Sequence, residues 1–156
     1  MLDRNDLKIL TVLQREGRIS NSELAERVAL TPAPCLRRVQ RLEQAGVIEG
    51  YGARLDPRRL GLGLRAFVRV QLETHDADHV QRFAELVGSA EEVVACWSLT
   101  GEMDYLLQVA VTDLDHYNDF IMGRLLREGG VRDVNSSFVL GTIKPDQGLP
   151  LPARSD

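Results

Sequence analysis

The sequence has few of the features that define several protein classes. Its 156 residues include only two cysteines, Cys35 and Cys96, and neither lies in a metal-binding or redox spacing. No apolar run approaches the ~18 residues needed to span a membrane, and the residues from Asp3 onward predict a capped helix rather than a signal peptide. A chain of this length forms a core without disulfides or metals. We therefore expect a cytoplasmic protein with no membrane partner, whose thiols are reduced and buried.

Sequence motifs of catalysis are also missing. There is no nucleophile elbow, phosphate-binding loop or dinucleotide fingerprint. His75 and His79 lie four residues apart beside Asp76 and Asp78, a spacing that shares a helix face and suits a metal. The same cluster is more typical of a helix N-terminus with Asp76 as its cap. His116 has no nucleophile near it in sequence. We predict no catalytic residue, no metal site and no cofactor.

Charge is unevenly distributed along the chain. The formal net charge is -4, which taken alone argues against a nucleic-acid partner. Residues 1–60, however, hold 11 Lys and Arg against 8 Asp and Glu, whereas residues 61–156 hold 8 against 15. The sign change predicts two modules with different partners.

The first module contains three capped helices in a row. Asp3 caps the first helix, residues 20–23 form a capping box for a short second helix, and Thr31 caps the third. Two of these helices are joined by about three residues, which is typical of a helix-turn-helix. Residues 47–55 then alternate weakly and predict a strand, either a wing or a strand that swaps onto a partner subunit. The apolar positions predicted to be buried on the helices are Leu7, Leu10, Leu13, Cys35, Leu36, Val39 and Leu42.

The third helix carries the strongest functional pattern. Arg37, Arg38 and Arg41 share one face beside Pro34, with no acid between them on that face. Arginine suits DNA because its planar fork pairs with guanine O6 and N7 or with phosphate oxygens. A solvated helix face is the alternative, but such a face usually mixes charges of both signs. The pattern therefore favours insertion of this helix into the major groove.

The second module has the order β-α-β-β-α-β. Strands are predicted over residues 65–73, 93–99, 105–111 and 131–140, and helices over residues 76–87 and from the cap Asp113 onward. The predicted fold class is α+β, with a ferredoxin-like sheet covered on one face by two helices. The other face needs a partner, so we expect a dimer packed sheet to sheet. The predicted core positions of the helices are Val80, Phe83, Ala84, Val87, Leu114, Tyr117, Phe120, Ile121 and Leu125.

Five fragments in this order resemble the Lrp/AsnC (leucine-responsive, feast/famine) family of transcriptional regulators over residues 2–149. The fragments are LDRNDLKIL at residues 2–10, GRISNSELA at 17–25, TPAPCLRRVQRLE at 31–43, GVIEGY at 46–51 and GEMDYLL at 101–107. Two departures stand out. Ala33 occupies a position where relatives often have Ser or Thr, and residues 128–131 replace a more usual Leu-Pro-Gly-Val.

The resemblance implies a winged-type helix-turn-helix DNA-binding domain over residues 1–50, a strand and linker over 51–63, an ACT-like βαββαβ effector-binding and oligomerisation domain over 64–143 and a C-terminal tail over 144–156. The tail looks loose, since it holds three prolines. The implied partners are double-stranded promoter or operator DNA, an amino-acid effector and copies of the chain, as homodimers that assemble to tetramers or octamers. The predicted DNA-binding residues are Ser20, Asn21, Thr31, Pro32, Ala33, Pro34, Arg37, Arg38 and Arg41.

The turn after the second strand of the second module is the predicted effector site. Gly101 admits close approach of the backbone, whose N–H groups suit a carboxylate, and Asp104 suits an ammonium group. The structural alternative is a hairpin turn at Gly101 capped by Asp104, with Tyr105 in the sheet core. The predicted effector-binding residues are Thr100, Gly101, Glu102, Asp104, Tyr105, Leu107 and Met122. The alternative function is a metabolite-binding oligomeric module that uses its winged helix for protein contacts.

Overall fold

The computed structural model describes residues 2–152, which fold as two compact units. The first unit combines residues 2–54 with residues 144–152, and the second comprises residues 55–143. Within the described chain no helix is both long enough and apolar enough to cross a bilayer.

The first unit is built on three helices, α1 (Arg4–Leu13), α2 (Asn21–Arg27) and α3 (Pro32–Gln44). The Asp3 carboxylate caps α1 by accepting from the N–H groups of Asn5 and Asp6 at 2.8 and 2.9 Å. The predicted capping box of α2 is confirmed, since Ser20 and Glu23 bond each other's backbone N–H. Thr31 begins α3, as predicted, but its side chain makes no capping hydrogen bond. The core of this unit consists of Ile9, Leu24, Ala25, Val28, Cys35 and Leu42.

Two of the core positions predicted for these helices are wrong. Leu36 is 44% exposed on α3, and Leu7 lies outside the core cluster. The side of α1 that is buried carries Asp6 and Ile9 instead. On that side, Asp6 binds the Arg38 and Arg41 side chains of α3.

Residues 47–55 form no strand within the described chain, and a strand that swaps onto a partner subunit stays a prediction. This segment has no ladder partner within residues 2–152, and a strand requires a hydrogen-bonded neighbour. Its start is fixed instead by the N–H groups of Val47 and Ile48, which both donate to the Leu42 carbonyl. Tyr51 donates a hydrogen bond from its hydroxyl to Glu43 at 2.8 Å.

The C-terminal segment is irregular but not loose, contrary to expectation. The Gln14 side chain accepts from the Leu149 N–H at 3.0 Å and donates to the Leu149 carbonyl at 3.1 Å. Gly148 adopts φ +90°, which favours glycine and brings the chain close to Gln14. The last four residues of the predicted tail, 153–156, lie outside the described residues.

The second unit confirms the predicted β-α-β-β-α-β order. After a short 3-10 turn (Arg58–Leu60), its elements are β1 (Leu64–Leu72), α4 (Ala77–Ser89), β2 (Val93–Ser98), β3 (Tyr105–Val111), α5 (Leu114–Asn118), a π-helical segment (Asp119–Leu125), α6 (Leu126–Glu128) and β4 (Val131–Phe138). The four strands form an antiparallel sheet in the order β2-β3-β1-β4. Val68 pairs with Leu107 across β1 and β3, and Val70 pairs with Val134 across β1 and β4.

One face of this sheet forms the core with the helices. The predicted inward row of β1 is confirmed, as Ala66, Val68, Val70 and Leu72 are all buried. On the helices, however, Ala84 is exposed and Leu114 is 61% exposed, while Leu86 is buried instead. Leu114 directly follows the Asp113 cap and points out of the first turn of α5. The opposite face of the sheet carries exposed Phe67 and Trp97.

Candidate nucleic-acid interface and effector turn

The structure brings together four of the predicted DNA-binding residues on α3. Pro34, Arg37, Arg38 and Arg41 line one open cleft of about 310 Å³. Pro32 and Pro34 lie in the first turn, where the missing N–H groups leave no unpaired donor.

Two acids of α1, which sequence analysis missed, reach this face. Asp6 is completely buried, and its two oxygens accept four hydrogen bonds. Oδ1 accepts from Arg38 Nη1 at 2.8 Å and from Arg41 Nη2 at 2.7 Å. Oδ2 accepts from the same Arg41 nitrogen at 2.6 Å and from the Asp3 N–H at 3.0 Å. A buried carboxylate needs such partners, so Asp6 ties the start of α1 to the middle of α3.

Asp3 is the second acid of this network, and its contact with Arg38 shifts the pKa values of both residues. Its carboxylate accepts from Arg38 Nη1 at 2.5 Å. The Asp6 N–H, followed by the Arg38 side chain, lowers the pKa of Asp3, and hydrogen bonds to Asp3 and then Asp6 raise the pKa of Arg38. The expectation of an arginine face without acids is therefore wrong for the folded unit, since α1 supplies two. Within residues 2–152, Arg37 has neither an ion pair nor a hydrogen bond from its side chain.

The remaining predicted DNA-binding residues differ in how their side chains are engaged. Ser20 donates its hydroxyl to Glu23 at 2.7 Å. Asn21 donates from Nδ2 to the Pro32 carbonyl at 2.9 Å and thereby joins α2 to α3, while its buried Oδ1 has no partner among the described residues. Thr31 and Ala33 are exposed, and their side chains stay available at the start of α3.

The effector turn is shaped by Gly101 and closed by backbone hydrogen bonds of Asp104. Gly101 adopts φ +113°, a conformation that favours glycine. The Asp104 N–H donates to the Val70 carbonyl, and the Asp104 carbonyl accepts from the Leu99 N–H, both at 2.8 Å. The turn therefore connects all of β1, β2 and β3 at one end of the sheet.

The Asp104 carboxylate already has two partners. Its Oδ2 accepts from the Leu72 N–H at 2.7 Å, and its Oδ1 lies 2.7 Å from His75 Nε2. Burial opposes ionisation of this carboxyl, but the Leu72 N–H and His75 outweigh it and lower the pKa of Asp104. Sequence analysis assigned His75 to a helix start and missed this contact, since the two residues are distant in sequence.

The predicted effector residues are only partly brought together. Thr100, Gly101, Glu102 and Asp104 share the turn. Tyr105 packs on Phe83 with ring centroids 4.6 Å apart, as the structural alternative expects. The prediction that Leu107 binds the effector is wrong, since its side chain is fully buried on the helix-covered face of the sheet and has no surface to offer a ligand. Met122 is 59% exposed on the π-helical segment.

The histidine and acid cluster at the start of α4 is a helix cap. Asp76 accepts from the His79 N–H at 3.0 Å and lies 2.8 Å from His79 Nδ1. Bonds from the Thr74 hydroxyl and then His79 lower the pKa of Asp76. Across residues 2–152 there is no cluster of three or more His, Cys, Asp or Glu side chains arranged to hold a metal.

Known proteins resemble both units. Residues 2–49 match the winged helix-turn-helix DNA-binding family, and residues 65–149 match the Lrp/AsnC ligand binding domain family. The chain is 43% identical over 150 residues to the Bkd operon transcriptional regulator of Pseudomonas aeruginosa, covering 96% of this chain and 98% of that protein. It is 41% identical over 153 residues to the leucine-responsive regulatory protein of Escherichia coli (strain K12), covering 98% of this chain and 93% of that protein.

A solved structure is also closely similar. The crystal structure of the transcriptional regulator NMB0573 in complex with L-Met, from Neisseria meningitidis, matches with a TM-score of 0.92 at 49% identity. The match covers 96% of this chain and 97% of that chain. Similarity of this extent includes both units and every element that positions the two candidate sites.

Proposed function

Because the chain belongs to the Lrp/AsnC family of DNA-binding transcriptional regulators with an amino-acid-binding domain, we propose that α3 binds promoter DNA and that an amino acid bound at the Gly101 turn alters this binding. The observation that supports α3 most directly is its exposed cleft of Pro34, Arg37, Arg38 and Arg41. Arginines on one face of the third helix of a helix-turn-helix suit contact with base edges and phosphates of the major groove.

The test of DNA binding is a salt-titrated mobility shift with a duplex from the region upstream of the protein's own gene. Affinity that rests on phosphate contacts falls steeply as salt rises. Arg37→Ala should weaken binding, because the Arg37 side chain is exposed and its charge is not paired with an acid of any described residue. Arg82→Ala is the matched control, since Arg82 is an exposed arginine of α4 in the other unit. Binding that ignores both salt and Arg37→Ala would favour a winged helix that contacts protein instead.

The proposed effector is a small amino acid at the turn of residues 100–104. Backbone N–H groups beside Gly101 suit its carboxylate, and Asp104 suits its ammonium group. A carboxylate has about four lone-pair sites, so the two bonds that Asp104 already accepts leave capacity for a ligand. The L-Met complex of NMB0573 supports an amino acid as the class of effector.

Calorimetry of the full chain with each of the twenty amino acids tests this site. Heat from one amino acid that disappears in Gly101→Val supports the turn, since a β-branched residue is strained at this φ value. Gly50→Val is the control, because Gly50 lies in the other unit and a Cβ there meets nothing within 4 Å. No heat with any amino acid would contradict the proposal.

The proposed mechanism couples the effector to assembly. Homodimers that pack the open sheet face, with Phe67 and Trp97, would assemble further to tetramers or octamers. Effector binding would then change the oligomer or the spacing of its helix-turn-helix pairs, which must match half-sites about 34 Å apart. Light scattering after gel filtration, with and without the amino acid that gives heat, measures a change in the oligomer. Footprinting measures a change in the spacing of the helix-turn-helix pairs on DNA.

A further inference from the structure

The three arginines on the exposed face of α3 differ in the hydrogen-bond donors they have left. A guanidinium presents five N–H donors in a rigid plane. Nε and Nη2 form its side edge, and Nη1 and Nη2 form its end edge. A bidentate contact with guanine O6 and N7 requires one complete edge that no other acceptor occupies.

Arg41 has no complete edge left. Its Nη2 donates to both oxygens of Asp6, at 2.7 and 2.6 Å. Nη2 supplies one N–H to the side edge and one to the end edge, so the Asp6 carboxylate beside it competes with a base on either edge. The donors that remain, on Nε and Nη1, point in different directions. They suit a single contact with a phosphate oxygen, and the Arg41 side chain is 57% exposed for it.

Arg38 is also committed, although less completely. Its Nη1 donates to Asp3 at 2.5 Å and to Asp6 at 2.8 Å, which occupies the end edge. The side edge remains, but the side chain is only 27% exposed. Asp3 and Asp6 together also offset the charges of Arg38 and Arg41.

Arg37 has both edges available. It lies on the exposed face of α3, and within residues 2–152 no acid or carbonyl accepts from it. It lines the same cleft as Arg38 and Arg41, so all three would meet one stretch of duplex.

We propose that Arg37 determines sequence specificity, and that Asp6 is a positioning residue which restricts Arg41 to the phosphate backbone. The proposal rests on the proposed function, namely that α3 enters the major groove. Arg37 and Arg41 share one face of α3, and nothing in the helix itself distinguishes them. Their different hydrogen-bond partners assign them different roles.

The test uses the full chain and two probes. One is the operator duplex that the wild-type chain selects from a random duplex library, and the other is a scrambled duplex of the same composition. Arg37→Ala should lower the ratio of the two affinities about 10-fold or more, because one bidentate pair contributes about 1–3 kcal/mol of base discrimination. Arg41→Ala should weaken binding to both probes alike and leave the ratio within about 3-fold.

A second measurement does not depend on how well each variant folds. Replacing single operator guanines by 7-deazaguanine removes the N7 acceptor. The loss that this causes with the wild-type chain should disappear in Arg37→Ala and persist in Arg41→Ala. Asp6→Asn should steepen the dependence of log affinity on log salt by about one unit for each arginine it releases, which a purely structural role would not do. Asp6→Glu should restore the wild-type slope.

Each outcome decides between the two hypotheses. A 7-deazaguanine effect that persists in Arg37→Ala, or a ratio that falls equally in Arg41→Ala, overturns the assignment of Arg37 while leaving DNA binding intact. A salt slope unchanged in Asp6→Asn overturns the positioning role of Asp6. A wild-type chain that selects no operator contradicts the proposed function itself, and the assignment with it.

Discussion

Both carboxylate oxygens of Asp6 accept hydrogen bonds from one nitrogen of Arg41, although Asp6 is fully buried and Arg41 is more than half exposed. The contact joins the first turn of α1 to the third turn of α3. The Asp6 carboxylate depends on this contact, because it is buried, has no water to bind and must be solvated by its protein donors.

We predict that Asp6→Ala destabilises the three-helix unit by about 2–4 kcal/mol. Breaking a buried ion pair costs about 3–5 kcal/mol when a charge is left buried, and the cost is smaller here because both arginines reach solvent. Far-UV circular dichroism during guanidinium denaturation measures the change. Trp97, the only tryptophan, lies in the other unit, so the midpoint of its fluorescence transition should stay unchanged. A shift of both transitions would contradict a local effect.

The stability of the same unit should fall in acid partly through Asp3. Its pKa is lowered in the folded chain, so its contribution is present above the unfolded value of 3.8 and is lost as pH falls through the folded value. Asp3→Asn keeps a capping side chain but cannot titrate. The difference in denaturation midpoint between wild type and Asp3→Asn should therefore shrink as the pH falls below about 4. A difference that is constant with pH would refute this.

Tyr51 should ionise late in alkaline titrations. Burial, and then the hydrogen bond to Glu43, raises the pKa of Tyr51 to about 12 from 10.0. The difference in phenolate absorbance between wild type and Tyr51→Phe should show a step near this value. Glu43→Gln should move that step to lower pH, because it removes a negative charge beside the phenolate. Any stability that Tyr51 contributes is present below its unfolded pKa and is lost as pH rises toward the folded one.

Two glycines of the second unit should respond oppositely to alanine. A Cβ at Gly129 would lie 2.5 Å from the Leu125 carbonyl oxygen, whereas a Cβ at Gly88 meets nothing within 4 Å. Gly129→Ala should cost about 1–3 kcal/mol through this clash. Gly88→Ala, near the end of α4, should stabilise by up to about 1 kcal/mol because it restricts the unfolded chain. The Trp97 fluorescence transition reports both changes, and equal effects of the two variants would be inconsistent with the structure.

Gln14→Ala should release the C-terminal segment. The Gln14 amide makes the two hydrogen bonds that hold the backbone of Leu149. Hydrogen exchange at the Leu149 amide should therefore become faster, and so should proteolysis after residue 144. Gln81→Ala is the matched control, because within the described part of the chain the Gln81 side chain bonds Glu85 alone, on the exposed side of α4. Unchanged exchange at Leu149 would show that other contacts hold this segment.

Local sequence patterns predict the elements well but not their contacts. The caps at Asp3, Ser20, Asp76 and Asp113 depend on residues within three positions, and the structure confirms all four. Alternation along β1 predicts its buried row for the same reason. Leu36 and Leu114 fail because helical spacing places them near the apolar stripe, and only tertiary packing decides which positions at its margin are buried.

At the candidate sites too, local spacing is predictable from sequence and tertiary contacts are not. The spacing of Arg37, Arg38 and Arg41 correctly places them on one face, since that depends on helical geometry alone. The acids that engage two of them lie more than thirty residues away, and no periodicity in α3 predicts that α1 supplies them. Asp104 is similar, because its partners Leu72 and His75 belong to another strand and its following loop.

Among residues 2–152 the two hydrophobic cores share no side chain, which makes the chain suitable for recombination between relatives. A crossover within residues 55–63 would transplant the three-helix unit without disturbing the packing of the sheet. The Gln14–Leu149 contact adds one condition, since the C-terminal segment belongs with the first unit. A functional chimera should therefore inherit residues 2–54 and 144–152 from the same parent, with the intervening domain inserted between them as a cassette.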